Sequence, residues 1–114
     1  MDGVTLVREY YRLIDEKEYA TLRELLGGDF THRRPDMTID GCDAFVEFMR
    51  DDRPDRETEH ALEAVYEERD GDRIAAEGTL FRSDGTEWFG FVDSFVVEER
   101  RIRSVRTYTD ADPD

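Results

Sequence analysis

The sequence predicts an α+β domain in which helices from the N-terminal half cover one face of an antiparallel sheet. Apolar residues recur at helical spacing over the first part of the chain, and they alternate with polar residues over most of the second half. The expected order is helix, helix, strand, helix and then four long antiparallel strands. At 114 residues, the chain is expected to form one domain over residues 1–114, with a single core.

The helices are predicted over residues 2–15, 18–26 and 42–49. The first carries a broad apolar stripe that includes Tyr10 and Tyr11, which is typical of a helix packed on a core. Gly27-Gly28 is expected to end the second helix, since glycine is common after a helix C-terminus. Asp40-Gly41 gives a turn into the third helix.

The strands are predicted over residues 29–34, 58–68, 73–82, 86–98 and 101–109. Pro35 should end the first strand, because proline cannot donate to a ladder of hydrogen bonds. Asp70-Gly71 and Asp84-Gly85 are typical of tight turns between antiparallel strands. Residues 51–57 are expected to form a charged loop, and residues 110–114 a polar, frayed tail.

The strand over residues 86–98 is the most informative, because both of its faces are largely apolar and it should be covered on both sides. Phe89, Phe91, Asp93 and Phe95 share one face. A carboxylate within an aromatic row is costly unless it is paired, hydrogen-bonded or neutral. We therefore expect Asp93 to have a raised pKa and to be a candidate general acid or base in a pocket.

The charge balance excludes two classes of partner. Thirty acidic and sixteen basic residues give a net charge of −14, which repels nucleic acid and anionic membranes, so neither is expected as a partner. The acidic residues are dispersed along the chain, as in proteins of salt-loving archaea, where high salt screens self-repulsion. An acidic mesophile protein is the alternative.

The cysteine and histidine residues indicate which cellular compartment and which cofactors to expect. A lone Cys42 gives no internal disulfide and suits a reducing cytoplasm, and no signal peptide or membrane-spanning apolar run is evident. The two histidines and the cysteine are scattered without metal-ligand spacing. A cytoplasmic protein without a metal or other cofactor is therefore expected.

Three stretches carry a resemblance to a known family: YYRLIDEKEYATLRELLGGDFTHRRP, GCDAFVEFM and FVDSFVVEERRIRSVRTYTD. Their order resembles the nuclear-transport-factor-two-like superfamily, in particular its SnoaL-like polyketide cyclase and ketosteroid isomerase branch. The resemblance implies a cone-shaped fold, in which a curved antiparallel sheet wraps around a pocket that the three helices close. It also implies a homodimer that pairs through the outer face of the sheet.

The resemblance assigns roles residue by residue. Asp93 matches the ketosteroid isomerase aspartic acid that stays protonated in the oxyanion hole, an established case of pKa tuning. Tyr10 matches the other oxyanion donor, a tyrosine of the first helix. The general base of that isomerase falls on Arg34, which cannot abstract a proton, and a supporting tyrosine falls on Met49. Ketosteroid isomerisation by that mechanism is therefore not expected.

His32 and Arg34 share a face of the first strand and are expected to lie in the cone beside Asp93. Together these three groups could orient a water molecule, as an Asp–Arg–Asp set does in the related limonene-epoxide hydrolases. Alternatively, Arg34 pairs with Asp93 and lowers its pKa, or it binds the carboxylate of an anionic ligand. The position of His60, at the mouth of the cone or on the surface, is left open.

The wall of the expected pocket is apolar with a few polar groups. Its predicted ligand-binding residues are Phe45, Phe48, Met49, Ile74, Ala76, Phe89, Phe91, Phe95, Thr107 and Thr109. The candidate catalytic residues are Asp93, Tyr10, His32 and Arg34.

The functional prediction is a cofactor-free isomerase, cyclase or hydrolase that acts on a small, mostly apolar or anionic molecule by acid/base chemistry. Two alternatives stay open, namely a non-catalytic binding module for a small ligand and a dimerisation domain whose cavity is filled by its own side chains. The fold does not decide among them, because this scaffold hosts many functions.

Overall fold

The computed structural model describes residues 2–111, and the predicted class and element order are confirmed. The helices are α1 (Gly3–Asp15), α2 (Tyr19–Leu25) and α3 (Cys42–Glu47), and a π-helical turn (Phe48–Asp52) continues α3. The strands are β1 (Leu26–Arg33), β2 (Thr38–Asp40), β3 (Glu59–Glu67), β4 (Arg73–Phe81), β5 (Glu87–Glu98) and β6 (Arg101–Thr109). The last part of the predicted tail, residues 112–114, lies outside the described residues. Within residues 2–111, every helix is too short or too polar to cross a membrane.

Helix α1 forms as its apolar spacing predicts. Asp2 caps its first turn by accepting a hydrogen bond from the backbone N–H of Thr5 at 2.8 Å. The buried stripe is broad and consists of Leu6, Val7, Tyr10, Tyr11, Leu13 and Ile14. This stripe covers the sheet, so the helix gains its stability from packing rather than from propensity alone.

The six strands form one curved, mixed sheet in the order β2-β1-β6-β5-β4-β3. All neighbouring pairs are antiparallel except β1 and β6, which run parallel. The expectation of a wholly antiparallel sheet is therefore wrong at this one pair. The short β2 was not predicted, because three residues after a proline carry too little alternation to be recognised as a strand.

Gly27 and Gly28 do not end α2 as expected. The helix ends at Leu25, and Leu26 is already extended, with φ −96° and ψ 146°. Both glycines lie inside β1, where the pairing with β6 shifts register between Leu26 and Thr31. Glycine weakens a strand and often marks such an irregularity, which is its role here.

The π-helical turn extends the third helix to Asp52, beyond its predicted end at Met49. Its widened hydrogen-bond pattern is accompanied by bonds from outside the helix, since the carbonyl of Met49 accepts from Arg53 Nε at 2.7 Å and from the Tyr19 hydroxyl at 3.3 Å. Such turns interrupt α-helices frequently at functional sites.

Two bulges change which side chains face the helices. Leu62 lies opposite Gly78 and Ala64 opposite Glu77, so Glu63 is an extra residue in β3. Strict alternation over the predicted strand 58–68 would place His60, Leu62, Ala64 and Tyr66 on one face. The bulge interrupts this alternation after Leu62, and Tyr66 is 55 % exposed. In β5 the extra residue is Trp88, because Leu80 lies opposite Phe89 and Phe81 opposite Glu87.

The concave face of the sheet forms the core with the helices. Phe89, Phe91, Asp93 and Phe95 are all buried on it, as the alternation of β5 predicts. A Cβ atom on the neighbouring Gly78 would lie 2.4 Å from the carbonyl oxygen of Ala61 and 3.1 Å from the ring of Phe91. Glycine is therefore required there for the sheet to curve this tightly.

Candidate functional site

A cavity of about 100 Å³ opens on the concave face of the sheet. A cavity of about 150 Å³ is known to hold one benzene molecule, so this space suits a small molecule. Nine of the predicted site residues line it, namely Tyr10, His32, Arg34, Met49, Phe89, Phe91, Asp93, Thr107 and Thr109. The cavity is open rather than filled by Phe89 and Phe91.

Five predicted ligand-binding residues do not line this cavity, namely Phe45, Phe48, Ile74, Ala76 and Phe95. Phe45 and Phe95 both pack against the Tyr10 ring, at centroid distances of 6.1 and 5.2 Å. Ile74 lies opposite Phe95 in the sheet and belongs to the same buried cluster. Ala76 is also part of this cluster and Phe48 packs against it, so these side chains contribute to the core rather than to the cavity wall.

Asp93 lies at the inner end of the cavity and is 5 % exposed. The hydroxyl of Tyr11 donates to its Oδ2 at 2.5 Å, and the hydroxyl of Thr107 donates to its Oδ1 at 2.5 Å. Strand register explains the second bond, because Thr107 lies directly opposite Asp93 on β6. The carboxyl group is therefore held by two hydroxyls, and no cationic side chain among residues 2–111 forms an ion pair with it.

The tyrosine that bonds Asp93 is Tyr11, whereas the resemblance assigns an oxyanion-donor role to its neighbour Tyr10. Both tyrosines lie on the buried stripe of α1, but successive residues of a helix point about 100° apart. Tyr10 turns toward Phe45 and lines the cavity without contacting Asp93. Burial and the nearby Asp93 carboxylate hold the pKa of both hydroxyls well above the usual range, so both stay protonated donors.

Burial raises the pKa of Asp93, as expected. Hydrogen bonds from Thr107 and Tyr11, and the nearby side chains of His60 and Arg34, oppose this shift without cancelling it. The charge of Arg34 thus acts to lower this pKa, but among the described residues Arg34 bonds to Asp36 and not to Asp93, so the expected direct pairing is absent. A carboxyl group in this state can donate a proton into an apolar cavity.

His32 is neutral and bonded to Thr107. Its Nε2 lies 2.8 Å from the Thr107 hydroxyl, while Nδ1 is buried without a hydrogen-bond partner among the described residues. Burial, assisted by the charge of Arg34, lowers the pKa of the ring to about 3. His32, Thr107 and Asp93 thus form a chain of hydrogen bonds in which a change of proton at one member reorients the next.

Arg34 lines the cavity but pairs with Asp36, at 3.1 Å from Nε to Oδ1. Its guanidinium also lies over the ring of Phe48, 5.2 Å from the centroid. The expected Asp93–Arg34–His32 arrangement for activating water is therefore not assembled by direct contacts. The planar guanidinium is nevertheless available at the cavity wall to a ligand's anionic group.

Sequence reasoning missed the pair formed by Asp15 and His60. His60 lines the cavity, and its Nδ1 lies 2.6 Å from Oδ1 of Asp15 at the end of α1. No local signal reveals this pair, because the two residues are 45 positions apart in sequence.

Trp88 and Arg53 also line the cavity and were not predicted. Strict alternation along β5 would place Trp88 on the face opposite to Phe89, and the bulge explains the difference, because an extra residue changes the direction of its side chain. Arg53 lies in the predicted charged loop, yet within the described part of the chain its guanidinium donates only to uncharged oxygens, including Thr58 Oγ1 at 3.2 Å and Tyr19 OH at 3.1 Å.

Substituting Tyr11→Phe is expected to destabilise the fold by about 1–3 kcal/mol, because one oxygen of buried Asp93 loses its donor. It should also raise the pKa of Asp93 further, since this hydrogen bond lowers it. Tyr10→Phe is the matched control, because its hydroxyl has no hydrogen-bond partner among the described residues. Urea unfolding and a ¹³C NMR titration of the Asp93 carboxyl would measure both effects, and equal results for the two variants would contradict the assignment.

Among residues 2–111, no three His, Cys, Asp or Glu side chains are grouped so that they could hold a metal ion.

Comparison with solved structures identifies the fold. An NTF2-like protein of unknown function from Cytophaga hutchinsonii superposes with a TM-score of 0.82 at 16 % identity, covering 96 % of this chain and 91 % of that one. A "putative ketosteroid isomerase" from Kribbella flavida gives 0.81 at 17 % identity, covering 95 % and 77 %. A "putative polyketide cyclase" from Pseudomonas putida gives 0.76 at 22 % identity, covering 95 % and 91 %. These likenesses show a shared NTF2-like fold.

Comparison of the sequence with family models identifies the family. None of the curated proteins matches it. The sequence model of the SnoaL-like domain matches residues 7–105, which include Asp93 and its partner Tyr11 as well as Asp15 and His60. The protein therefore belongs to the SnoaL-like domain family.

Proposed function

We propose that the protein is a cofactor-free enzyme that acts on a small, mostly apolar molecule by acid/base chemistry. The observation that carries this proposal is Asp93, a buried carboxyl group with a raised pKa at the wall of an open cavity. Titratable groups perturbed in this way concentrate at functional sites. Isomerisation, cyclisation and hydrolysis all use a positioned acid of this kind.

The cavity favours a small carbonyl compound as the reactant. The polar group of such a molecule would accept a hydrogen bond from Asp93, and Phe89, Phe91 and Met49 would contact its apolar part. At about 100 Å³, the space is too small for a fused four-ring skeleton. Arg34 at the position of the isomerase base also argues against ketosteroid isomerisation by the known mechanism.

Exchange of α-protons tests this proposal without knowledge of the product. Small cyclic ketones such as cyclopentanone and 2-cyclohexenone would be incubated with the protein in D₂O, and deuterium incorporation would be followed by NMR. We expect exchange above the buffer rate that depends on Asp93. A panel of ketones with no exchange above buffer would refute acid/base turnover of this class.

A non-catalytic binding module is the second candidate, and the position of Arg34 at the cavity wall favours it. In that case a small apolar carboxylate such as benzoate should bind without being changed. Calorimetric titration of benzoate into wild type and an Arg34→Gln variant would distinguish the two candidates. Binding that depends on Arg34, together with an absence of ketone exchange, would favour the binding module.

We also propose a homodimer that forms through the outer face of the sheet in a cytoplasm of high salt. The outer face carries the exposed apolar side chains Tyr66, Val92 and Tyr108, on β3, β5 and β6 respectively. Each copy carries a net charge of −14, so association should strengthen when salt screens the repulsion. The buried, free Cys42 is compatible with a reducing compartment.

Val92→Glu is expected to convert the dimer to a monomer, because it places a charge at the centre of the proposed interface. Met37→Glu is the matched control, since Met37 is equally exposed at 38 % but lies between β1 and β2. Light scattering in about 1 M KCl, where the screening length is about 3 Å, would measure both masses. A monomeric wild type would refute the dimer, and a dimeric Val92→Glu protein would refute this interface.

A further inference from the structure

We propose that His60, positioned by Asp15, is the general base of the cavity and works opposite the acid Asp93. This inference rests on the proposed acid/base function and extends it by naming the group that accepts the substrate's proton. It supplies what Arg34 cannot, because a guanidinium stays protonated.

Asp15 uses both carboxylate oxygens to hold His60. Oδ1 lies 2.6 Å from Nδ1 of the ring, and Oδ2 accepts the backbone N–H of the same histidine at 2.8 Å. The two side chains are only 14 % and 19 % exposed for His60 and Asp15 respectively. Ring and backbone are thus fixed by one carboxylate, which joins the end of α1 to the start of β3.

This geometry sets the tautomer of His60. A carboxylate can only accept, so Nδ1 carries the proton and Nε2 presents its lone pair. Nε2 has no hydrogen-bond partner among the described residues, and the ring lines the cavity. His32 differs, because its Nε2 is already engaged with the Thr107 hydroxyl.

Asp93 and His60 both contact Tyr11. The ring of Tyr11 packs against the His60 ring at a centroid distance of 5.1 Å, and its hydroxyl donates to Asp93. Phe91 packs on His60 from β5 at 5.6 Å. Among the described residues, Asp15 and Tyr11 contact His60, and the charged or titratable groups that line the same cavity include Asp93, Arg34, Arg53 and Asp55.

In the proposed step, one proton moves from the substrate to His60 and back. Nε2 of His60 takes a proton from a carbon or oxygen of the substrate, and the electron pair of the broken bond stays with the substrate. The imidazolium that forms is stabilised by the carboxylate of Asp15. Asp93 donates a hydrogen bond to the negative charge that develops, and return of the proton from Nε2 to another atom completes an isomerisation.

Elimination of 1,2-benzisoxazole is a direct probe of such a base. The base removes the ring C–H proton, the C–H electron pair completes a nitrile, and the N–O bond breaks to release a phenolate that absorbs in the ultraviolet. We expect the protein to exceed free imidazole at equal concentration and His60→Gln to lower the rate about 100-fold. Glu77→Gln, an acid-to-amide change at a residue bonded only to Tyr66 among the described residues, should leave the rate unchanged.

Two further measurements separate catalysis from structural damage. Added imidazole should restore the rate of a His60→Ala protein, which a merely structural role of His60 would not allow. Nitrogen-15 NMR of the wild type should show the Nδ1–H tautomer of His60, and Asp15→Asn should shift the proton toward Nε2, in line with a positioning role for Asp15.

Three outcomes would overturn the inference: a wild-type rate no higher than that of free imidazole, an unchanged rate in His60→Gln, or an Nε2–H tautomer in the wild type. The elimination needs a base but no proton from Asp93, so its result is independent of ketone exchange. Ketone exchange lost with Asp93→Asn but retained with His60→Gln would leave the proposed function standing and remove His60 as its base.

Discussion

Acidification from pH 7 to pH 4 is expected to destabilise the fold by about 3 kcal/mol through His32 alone. The pKa of the buried ring is about 3, against an ordinary value of 6.5 in the unfolded chain. Between these values the unfolded state binds a proton that the folded state does not, so stability falls as the pH falls. About 2.5 pH units of this window lie above pH 4, and each unit contributes about 1.4 kcal/mol. The unfolded chain is already partly protonated at pH 7, which reduces the change to about 3 kcal/mol.

His32→Gln isolates this contribution. Glutamine keeps a terminal N–H for the Thr107 hydroxyl but does not titrate. Urea unfolding of both proteins at pH 7 and pH 4, at constant salt, would give the two pH dependences. Other titrating groups, including Asp93 with its opposite sign, are common to both proteins and cancel in the difference. Parallel pH dependences would mean that His32 is charged or exposed in the folded protein.

The environment of Asp93 is the part of the site that the sequence predicts best. Period-two alternation places Asp93 among buried phenylalanines, and the antiparallel partner of β5 brings Thr107 directly opposite. The local pattern is sufficient to predict that Asp93 lies among phenylalanines, and the strand register is sufficient to place Thr107 opposite it. The choice between Tyr10 and Tyr11 is different, because a broad helical stripe buries both and only the rotation of α1 on the sheet selects the partner.

The remaining differences between the predicted and the observed site arise from single extra residues in strands and from contacts between residues far apart in sequence. One inserted residue reverses the two faces of a strand, so the bulges at Glu63 and Trp88 turn Tyr66 outward and Trp88 toward the cavity. Alternation read along a single strand cannot locate such an insertion. The bond between Asp15 and His60 depends on where α1 ends relative to β3, which is a property of the assembled fold.

Asp93→Asn is expected to lower ketone exchange by about 100-fold or more while the protein stays folded. A positioned acid contributes roughly 10²–10⁴ to a rate, and an amide cannot supply the proton. Its hydrogen bonds can persist, because the hydroxyls of Tyr11 and Thr107 can accept from an amide N–H as well as donate to its oxygen. Glu77→Gln, on the outer face of β4, is the matched control.

The same variant should show a stability difference that depends on pH. Because burial raises the pKa of Asp93, the folded wild type binds a proton between pH 3.8 and that raised value, where the unfolded chain has lost it. The wild type therefore loses stability as the pH rises through this window, and the Asn variant does not. Its stability relative to wild type should increase with pH in urea unfolding. A difference that decreases with pH would show that the folded protein favours the Asp93 carboxylate, and an Asn variant that cannot fold would show that Asp93 is a structural residue. With either result, Asp93 would no longer be a candidate for the acid of the cavity.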